Sequence, residues 1–186
     1  MKVLIATEKP FAPVAGQGIK ETFDMAGYAC ETLEKYTDKA QLLAAVADCQ
    51  GLIVRSDIID AEVMDAAPEL KIIVRAGAGY DNIDLAAATA RKIVVMNTPG
   101  QNANAVAELV IGLLIYTMRQ RFNGKAGSEL MGKKMGLMAF GAVAQNVARI
   151  AKGMGMDVSS YSPLNRPQKI IDAGFHVHES LEALFH

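Results

Sequence analysis

The chain has no tryptophan and only two cysteines, Cys30 and Cys49, among its 186 residues. The distance between these cysteines in the sequence matches no metal-binding motif, and two cysteines are too few for a disulfide framework. Such sparse cysteine is typical of reduced residues in the cytosol. The sequence therefore predicts a cytoplasmic protein without a metal site.

Excess charge and long hydrophobic runs are also lacking. The formal net charge is -1, so no basic surface for nucleic acid is indicated. The longest apolar stretch, Ala105 to Met118, carries Glu108 and is too short to cross a bilayer. The apolar run near Met1 is shorter than the core of a secretory signal. We expect a globular protein whose partners are small molecules, without nucleic acid or membrane.

Short apolar runs alternate with segments of helical periodicity in the first half of the chain. Apolar strands separated by helices indicate a parallel sheet covered on both faces, with right-handed connections. The predicted strands are Val3–Ala6, Gly51–Val54, Lys71–Arg75 and Ile93–Asn97, and the predicted helices are Val14–Ala26, Lys39–Ala47, Glu62–Ala67 and Leu85–Arg91.

A cluster of turn formers, Thr98-Pro99-Gly100, separates this half from the next, so we place a domain boundary between residues 98 and 99. The helix predicted at Asn102–Arg121 has little polarity in its middle, which predicts burial on most sides between domains or subunits. A second strand–helix pattern follows, with strands at Met135–Phe140, Asp157–Tyr161 and Phe175–His178 and helices at Ala142–Met154, Arg166–Ala173 and Ser180–Phe185.

The segment from Ala139 to Ala144 has the position and spacing of a G-x-G-x-x-G dinucleotide loop at a strand-to-helix junction. Only the middle glycine, Gly141, is present, and it is the one that allows the backbone to approach a pyrophosphate. Ala139 stands where the tight turn prefers glycine. One interpretation is a cofactor loop, and the other is an ordinary turn with a single glycine.

The end of the next predicted strand bears on which dinucleotide would bind. An acidic residue usually binds the ribose hydroxyls there, and Ser162 holds the corresponding place. Arg166 lies close enough in sequence to meet a 2′-phosphate, which would allow NADP. The alternative, which we favour, is that Ser162 reflects weakened cofactor binding and Arg166 is a solvated helix residue.

Three other segments together resemble the D-isomer-specific 2-hydroxyacid dehydrogenase family. Arg75–Asp84 is similar to the family pattern R-A-G-x-G-x-D-N-I-D. Asn97–Glu108 is similar to N-T-P-x-x-N-x-x-x-V-A-E, and Gly132–Gly136 to G-K-x-x-G. The similarity covers nearly the whole chain in the same order. Within the family, Val54-Arg55-Ser56 resembles the phosphoglycerate branch.

The resemblance implies an α/β architecture: a flavodoxin-like parallel-sheet substrate domain at 1–98, followed at 99–186 by the first half of a Rossmann NAD-binding domain. It implies a homodimeric oxidoreductase that acts on the CH–OH of a D-2-hydroxy acid with NAD. For this branch the expected reaction converts 3-phosphoglycerate to phosphohydroxypyruvate, a step of serine biosynthesis.

The residues themselves fit such a site. Glycines after a strand expose backbone N–H groups that can hold a carboxylate, although a plain glycine turn is the alternative. Arg55 could grip a phosphate or carboxylate, or it could be a surface residue at the sheet edge. Asp81 and Asn82 could equally be turn formers. The candidate substrate contacts are Arg55, Ser56, Ala76, Gly77, Ala78, Gly79 and Asn102, and the candidate cofactor contacts are Val106, Phe140, Gly141, Ala142, Val143 and Ser162.

No position matches the catalytic Arg, Glu and His of the family, so no catalytic residue is predicted. The resemblance implies that these residues, and a return segment of the substrate domain, would follow His186. We therefore expect a truncated chain that is inactive or nearly so alone. The alternative function is a non-catalytic or degenerate relative that acts as a binding or dimerisation module. A flavodoxin-like regulatory domain that binds a small anion fits only the first half.

Overall fold

The computed structural model describes residues 1–164 and 167–186. They form two compact units, Met1–Pro99 and Gly100–His186. The first unit contains β1 (Lys2–Thr7), α1 (Pro13–Met25), β2 (Ala29–Glu34), α2 (Lys39–Val46), β3 (Gly51–Val54), α3 (Ala61–Asp65), β4 (Ile72–Arg75), α4 (Leu85–Ala90) and β5 (Val94–Asn97). The second contains α5 (Ala103–Met118), β6 (Lys134–Met138), α6 (Ala142–Gly153), β7 (Asp157–Tyr161), α7 (Pro167–Asp172), β8 (His176–Val177) and α8 (Leu181–Phe185).

The five strands of the first unit form a parallel sheet in the order β2-β1-β3-β4-β5. This is the flavodoxin-like order, in which the chain changes direction along the sheet between β1 and β3. The predicted fold class is therefore confirmed for this unit. The register pairs Ala6 with Val54 and Val54 with Arg75, so β1, β3 and β4 end at one edge of the sheet.

Strand β2 was not predicted from the sequence. It lies at the outer edge of the sheet and pairs only with β1 among the described strands. Most of its side chains are exposed, and only Cys30 and Leu33 are partly buried. An edge strand that buries so little lacks the apolar run that marked the central strands.

One face of this sheet is well covered, because helices α2, α3 and α4 pack on it around the largest cluster of buried side chains. Asp38, Asp60 and Asp84 cap the starts of these helices by accepting backbone N–H groups. Helix α1 covers part of the other face. There Val94 and Met96 of β5 remain 56% and 52% exposed, so the predicted cover on both faces is incomplete.

The second unit contains a parallel sheet in the order β6-β7-β8, with α5 and α6 packed together. This is the strand order of the first half of a Rossmann fold, as predicted. Phe140 and Phe175 meet edge to face in its core, with ring centroids 5.9 Å apart.

In the single chain, helix α5 is buried along one stripe, so its predicted burial on most sides, between domains or subunits, stays a prediction. Only Ala103, Ala107 and Ile111 are buried, whereas Leu109 and Leu113 are 62% and 55% exposed. The helix packs a single stripe against its neighbours and leaves an apolar stripe open. It also ends earlier than predicted, because a short 3₁₀ turn at Gln120–Phe122 follows with positive φ at all three residues.

Helices long and apolar enough to span a membrane were not found among the described residues. The same part of the chain has no group of three or more His, Cys, Asp or Glu side chains placed to hold a metal ion. Cys30 and Cys49 are free thiols, and burial is the main cause of the raised pKa of both.

Candidate functional site

Two predicted substrate-binding segments meet at the carboxyl edge of the first sheet. Arg55 follows β3 directly and Ala76 follows β4, and these strands are neighbours in register. The N–H of Ala76 donates to the carbonyl of Val54 at 2.8 Å. The structure thus brings Arg55 and Ser56 to the same edge as the glycine loop that begins at Ala76.

The Arg55 side chain is held in place by the loop that follows β1. Its Nη1 donates to the carbonyls of Lys9 and Pro10 at 2.9 and 2.8 Å. Its guanidinium carbon lies 5.4 Å from the centre of the Phe11 ring. Within the described chain, Nε and Nη2 donate to no acceptor. Arg55 therefore has donors left for an anionic ligand.

Asp57 is a functional-site candidate that the sequence did not reveal. Its carboxylate belongs to a residue only 4% exposed. Oδ1 accepts the Glu8 N–H at 2.8 Å and the Tyr36 hydroxyl at 2.7 Å, and Oδ2 accepts the Arg55 N–H at 3.2 Å. Burial, together with the bond to Asp57, raises the pKa of Tyr36, so this phenol remains a neutral donor.

Asn82 connects the end of β3 to the loop after β4. Its Nδ2 donates to the carbonyl of Asp57 at 2.7 Å and to that of Arg55 at 3.3 Å. Its Oδ1 is buried and has no partner among the described residues. A bridge between Ile59 and Ile83 joins the same two segments. Asn82 is thus more than the turn former that its sequence position allows, because it fixes the carbonyls on either side of Ser56.

The glycine loop begins with a close approach between Arg75 and Gly77. The Arg75 guanidinium occupies the space in which a β-carbon on Gly77 would lie. Arg75 Nε is buried and has no hydrogen-bond partner in the described part of the chain. The backbone angles of Gly77 are not in the left-handed region, so a β-carbon at this position would require only that the end of the Arg75 side chain move.

The carbonyl groups in the rest of the loop accept hydrogen bonds from residues at the end of β5. The Gly77 carbonyl accepts the Thr98 N–H at 2.9 Å, and the Ala78 carbonyl accepts Asn97 Nδ2 at 2.7 Å. These bonds use the carbonyl groups and hold the loop against the end of β5. The N–H groups of Ala78 and Gly79 donate to no acceptor within residues 1–164 and 167–186. The loop can therefore bind a small anion such as a carboxylate.

In the second unit, the turn after β6 has a strained residue at Ala139, where φ is 78°. This is the left-handed region, which explains the preference for glycine at this place in the loop. The Ala139 N–H donates to the Tyr161 carbonyl at 2.7 Å. The hydroxyl of Ser160, which is fully buried, lies 3.0 and 3.2 Å from the carbonyls of Leu137 and Ala139. The neighbouring strand β7 therefore holds the turn in its strained form.

The start of α6 leaves backbone N–H groups available for a ligand. Gly141 is the residue before the helix, and no side chain caps it. A β-carbon on Gly141 would meet nothing within 4 Å, so the space beside it is open. Ala142 and Val143 form the first turn of the helix. Phe140 is fully buried, so only its backbone could contact a cofactor, and its carbonyl accepts Gln145 Nε2 at 2.9 Å.

The remaining candidates occupy different positions. Ser162 follows β7, whose register with β6 pairs Tyr161 with Met138, so Ser162 lies at the same sheet edge as the turn before α6. Asn102 is the exposed residue before α5, and Val106 is partly buried on that helix. Arg166, the candidate for a 2′-phosphate, lies outside the described residues.

Glu108 is hydrogen-bonded on the surface of an otherwise apolar helix. The residue lies on an exposed part of α5, and its Oε1 accepts Asn104 Nδ2 at 2.6 Å. Asn104 Oδ1 in turn accepts Arg149 Nη2 at 2.9 Å. The carboxylate is therefore solvated and hydrogen-bonded on the helix surface.

Comparisons with known proteins give a consistent result. The profile described as D-isomer specific 2-hydroxyacid dehydrogenase, catalytic domain, matches residues 6–184. D-3-phosphoglycerate dehydrogenase of Mycobacterium leprae is 38% identical over 154 residues, and the human protein of that name is 37% identical over 155. These matches cover 75% and 76% of this chain and 29% of each relative. The chain thus spans under a third of the curated relatives.

Solved structures agree with the sequence matches. The NAD⁺-bound 3-phosphoglycerate dehydrogenase of Entamoeba histolytica is 45% identical, with a TM-score of 0.90, and the match covers 100% of this chain and 59% of that one. The TT0316 protein of Thermus thermophilus is 32% identical with a TM-score of 0.83, over 99% of this chain and 61% of that protein. The Escherichia coli D-lactate dehydrogenase, at 21% identity and a TM-score of 0.78 over 96% of this chain and 60% of that one, shares the fold.

Proposed function

The chain belongs to the D-isomer-specific 2-hydroxyacid dehydrogenase family, and we propose that it supplies the acid-binding and dinucleotide-binding parts of an NAD-dependent oxidoreductase. The proposed substrate is 3-phosphoglycerate, whose CH–OH is oxidised to the ketone of phosphohydroxypyruvate. The observation that carries the proposal is the placement of Arg55 beside a loop whose N–H groups at Ala78 and Gly79 have no acceptor in the described part of the chain. A carboxylate and a phosphate on one small molecule need two such groups of donors.

The two ends of the substrate would use different donors. The carboxylate would accept the N–H groups of Ala78 and Gly79, because the loop holds them in a fixed orientation. The phosphate oxygens would accept hydrogen bonds from Nε or Nη2 of Arg55 and from the Ser56 hydroxyl. A guanidinium and a phosphate form strong charge-assisted hydrogen bonds. This assignment makes the phosphate the part of the substrate that Arg55 selects.

The residues around the start of α6 fit a dinucleotide. The helix start has no side-chain cap, and the space beside Gly141 is open, so the N–H groups of Ala142 and Val143 could hold a pyrophosphate. A bound nicotinamide would supply the acceptor for the substrate's hydride. Ser162 is the residue that we propose beside the ribose, and it carries a hydroxyl rather than the usual carboxylate. We therefore propose NAD as the cofactor, with weak discrimination against NADP.

A second candidate function is a non-catalytic binding module of the same fold. The observation in its favour is Ala139, an alanine held at a φ of 78° in the turn that would carry the cofactor. The family resemblance also assigns no proton-transfer role to any of these residues. This candidate predicts binding of an acid or a dinucleotide without turnover.

One experiment separates the two candidates. The purified chain is titrated with NADH while nicotinamide fluorescence is followed, and turnover is then assayed with phosphohydroxypyruvate and NADH. Saturable binding with turnover supports the dehydrogenase, whereas binding without turnover supports the module. Absence of both would sink the enzymatic proposal for this chain.

Matched variants locate the binding. Gly141→Ala puts a methyl group into open space beside the helix start at an unstrained φ of -75°, so it should weaken NADH binding without unfolding the protein. Gly153→Ala is the control, because Gly153 lies in the last turn of the same helix with nothing within 4 Å of its β-carbon position. Equal affinities for both variants would contradict the proposed cofactor site.

We also propose that the protein is a homodimer formed through the exposed apolar stripe of α5. Leu109, Leu113 and Tyr116 lie on this stripe and are exposed in the single chain. Analytical ultracentrifugation should show a dimer that Leu113→Lys converts to a monomer. Leu164→Lys is the control, because Leu164 is 94% exposed and lies far along the chain from α5. A wild-type monomer would contradict the proposal.

Function in the cytosol is proposed from the two free thiols.

A further inference from the structure

Asp57 lies where the loops after three adjacent strands meet. Its carboxylate accepts the N–H of Glu8, which follows β1, the hydroxyl of Tyr36, which follows β2, and the N–H of Arg55, which follows β3. Strands β2, β1 and β3 are neighbours in the sheet. One side chain therefore joins the three loops at the carboxyl edge between β1 and β3, where ligands bind in open α/β sheets.

The charge of Asp57 has no cationic partner among the described ion pairs. Its donors are a phenol and two backbone N–H groups, and a buried carboxylate without them would be costly. An asparagine of the same shape would turn an NH₂ group toward at least one of these donors. The position thus requires an acceptor at both oxygens, which only a carboxylate provides.

Asp57 holds Arg55 directly at its backbone and indirectly at its guanidinium. It accepts the Arg55 N–H directly, which fixes the backbone at that residue. It also accepts the Glu8 N–H, and the next two residues, Lys9 and Pro10, provide the carbonyls that hold Arg55 Nη1. Loss of the carboxylate would therefore release the guanidinium from both directions.

The same contacts orient Ser56. Its neighbours on both sides are held, Arg55 by the Asp57 carboxylate and Asp57 by Asn82 through its carbonyl. Ser56 and Asp57 line a cavity of about 330 Å³ together with Tyr36. The Ser56 hydroxyl makes no hydrogen bond within the described residues, so it is available to a ligand.

We propose that Asp57 is a positioning residue that fixes Arg55 and Ser56 for the phosphate group of the substrate, with Tyr36 as its neutral hydrogen-bond donor. The proposal rests on the proposed function, because it assumes that the chain binds a phosphorylated hydroxy acid. Asp57 does not touch the substrate and acts through Arg55 and Ser56. It sets the preference for a phosphorylated acid over the same acid without phosphate.

The test compares two acids that differ only in the phosphate. Binding of 3-phosphoglycerate and of D-glycerate to the full chain is measured by NMR titration for the wild type and Asp57→Asn. The substitution should weaken the affinity for 3-phosphoglycerate on the order of tenfold or more, because charged donors that are out of position lose most of their hydrogen-bond energy. Affinity for D-glycerate should change less than about twofold, because its carboxylate uses the loop at Ala78 and Gly79.

Two variants and one further measurement keep the result interpretable. Asp84→Asn is the matched control, because Asp84 caps α4 in the same unit by accepting the Ala87 N–H and accepts no bond from Arg55, Glu8 or Tyr36, and it should leave both affinities unchanged. Tyr36→Phe should weaken 3-phosphoglycerate in the same direction as Asp57→Asn. Amide exchange of Asp57→Asn should be faster at Glu8 and Arg55 while the strands keep their protection, which shows that the variant is folded.

Each alternative outcome is distinct. Equal losses of affinity for both acids in Asp57→Asn would mean that Asp57 has a general structural role. Unchanged affinities would mean that it has no role. Either result overturns the inference about Asp57 and leaves the proposed function standing. A wild type that binds D-glycerate as tightly as 3-phosphoglycerate would overturn the phosphate role of Arg55 and the inference with it. A wild type that binds neither acid would overturn the proposed function as well.

Discussion

The guanidinium of Arg75 lies across Gly77, in the space that a β-carbon on that residue would fill. The atoms in that space belong to the flexible end of the Arg75 side chain, and the Nε among them is buried without a hydrogen-bond partner in the described residues. The two residues therefore lie in close contact at the start of the glycine loop. The loop is also held at this residue by a hydrogen bond, because the Gly77 carbonyl accepts the Thr98 N–H.

Gly77→Ala should displace the Arg75 guanidinium and destabilise the protein by about 1 kcal/mol, the low end of the range for overpacking, because the displaced atoms are the end of a flexible side chain. It should also weaken binding of a hydroxy acid, because the N–H groups of Ala78 and Gly79 would shift. Urea unfolding and acid titration measure the two effects. Gly18→Ala is the control: Gly18 lies in α1 with nothing near its β-carbon position, so alanine should be neutral or stabilising there. Wild-type stability in Gly77→Ala would contradict the packing argument.

Ala139→Gly should stabilise the protein by about 1 kcal/mol, because an L-residue in the left-handed region costs more than the extra chain entropy of glycine. Ala139 has a φ of 78°, so glycine relieves strain without moving the turn. The change should also preserve or improve NADH affinity. Ala142→Gly is the comparison, since Ala142 is in the first turn of α6 and glycine should destabilise it. A loss of stability in Ala139→Gly, measured by urea unfolding, would refute the strain.

Ser160→Ala should destabilise the second unit by about 1–2 kcal/mol, because it removes a buried hydroxyl donor and leaves the Leu137 and Ala139 carbonyls with fewer partners. The turn before α6 should loosen as a result, and NADH affinity should fall. Ser159→Ala is the matched control on the same strand, because the Ser159 side chain forms no hydrogen bond with any described residue. Thermal unfolding of both variants checks the difference, and equal effects would remove the special role of Ser160.

The sequence predicted the elements that carry strong apolar runs and missed those that do not. β3 and β7 have the predicted bounds, Gly51–Val54 and Asp157–Tyr161, because each is a continuous run between turn formers. β2 was missed because an edge strand buries few side chains. The early end of α5 was also missed, since the left-handed turn at Gln120–Phe122 contains no glycine to mark it.

The candidate site could be predicted only where its residues belong to one continuous segment of the sequence. The strain at Ala139 follows from its place in the spacing of the glycine loop, and the structure has the positive φ that this spacing indicates. The cluster around Asp57 could not be predicted in the same way. Tyr36 and Asp57 are 21 residues apart and meet only because β2, β1 and β3 are adjacent in register. Sheet order and register are tertiary properties that local pattern does not encode.

Stability should fall as the pH rises above about 9, because two buried groups have raised pKa values in the folded state. Burial raises the pKa of Cys49 from 9.0 to about 11, and burial with the Asp57 bond raises that of Tyr36 above its ordinary 10.0. In each case the unfolded chain loses its proton first. The stabilisation is therefore complete below the unfolded pKa and is lost as the pH rises toward the folded one.

Substitutions at the two groups should flatten this decline in different pH windows. Urea unfolding between pH 8 and 11.5 should show a shallower slope for Cys49→Ala between its unfolded and folded pKa values of 9.0 and about 11. Tyr36→Phe should be shallower from about pH 10 upward, whatever its stability at neutral pH. Tyr28→Phe is the control, because Tyr28 is an exposed tyrosine, and its slope should match the wild type. If the free energy of unfolding of Tyr36→Phe fell with pH in parallel with that of the wild type, the pKa of Tyr36 would not be raised by its burial and its bond to Asp57.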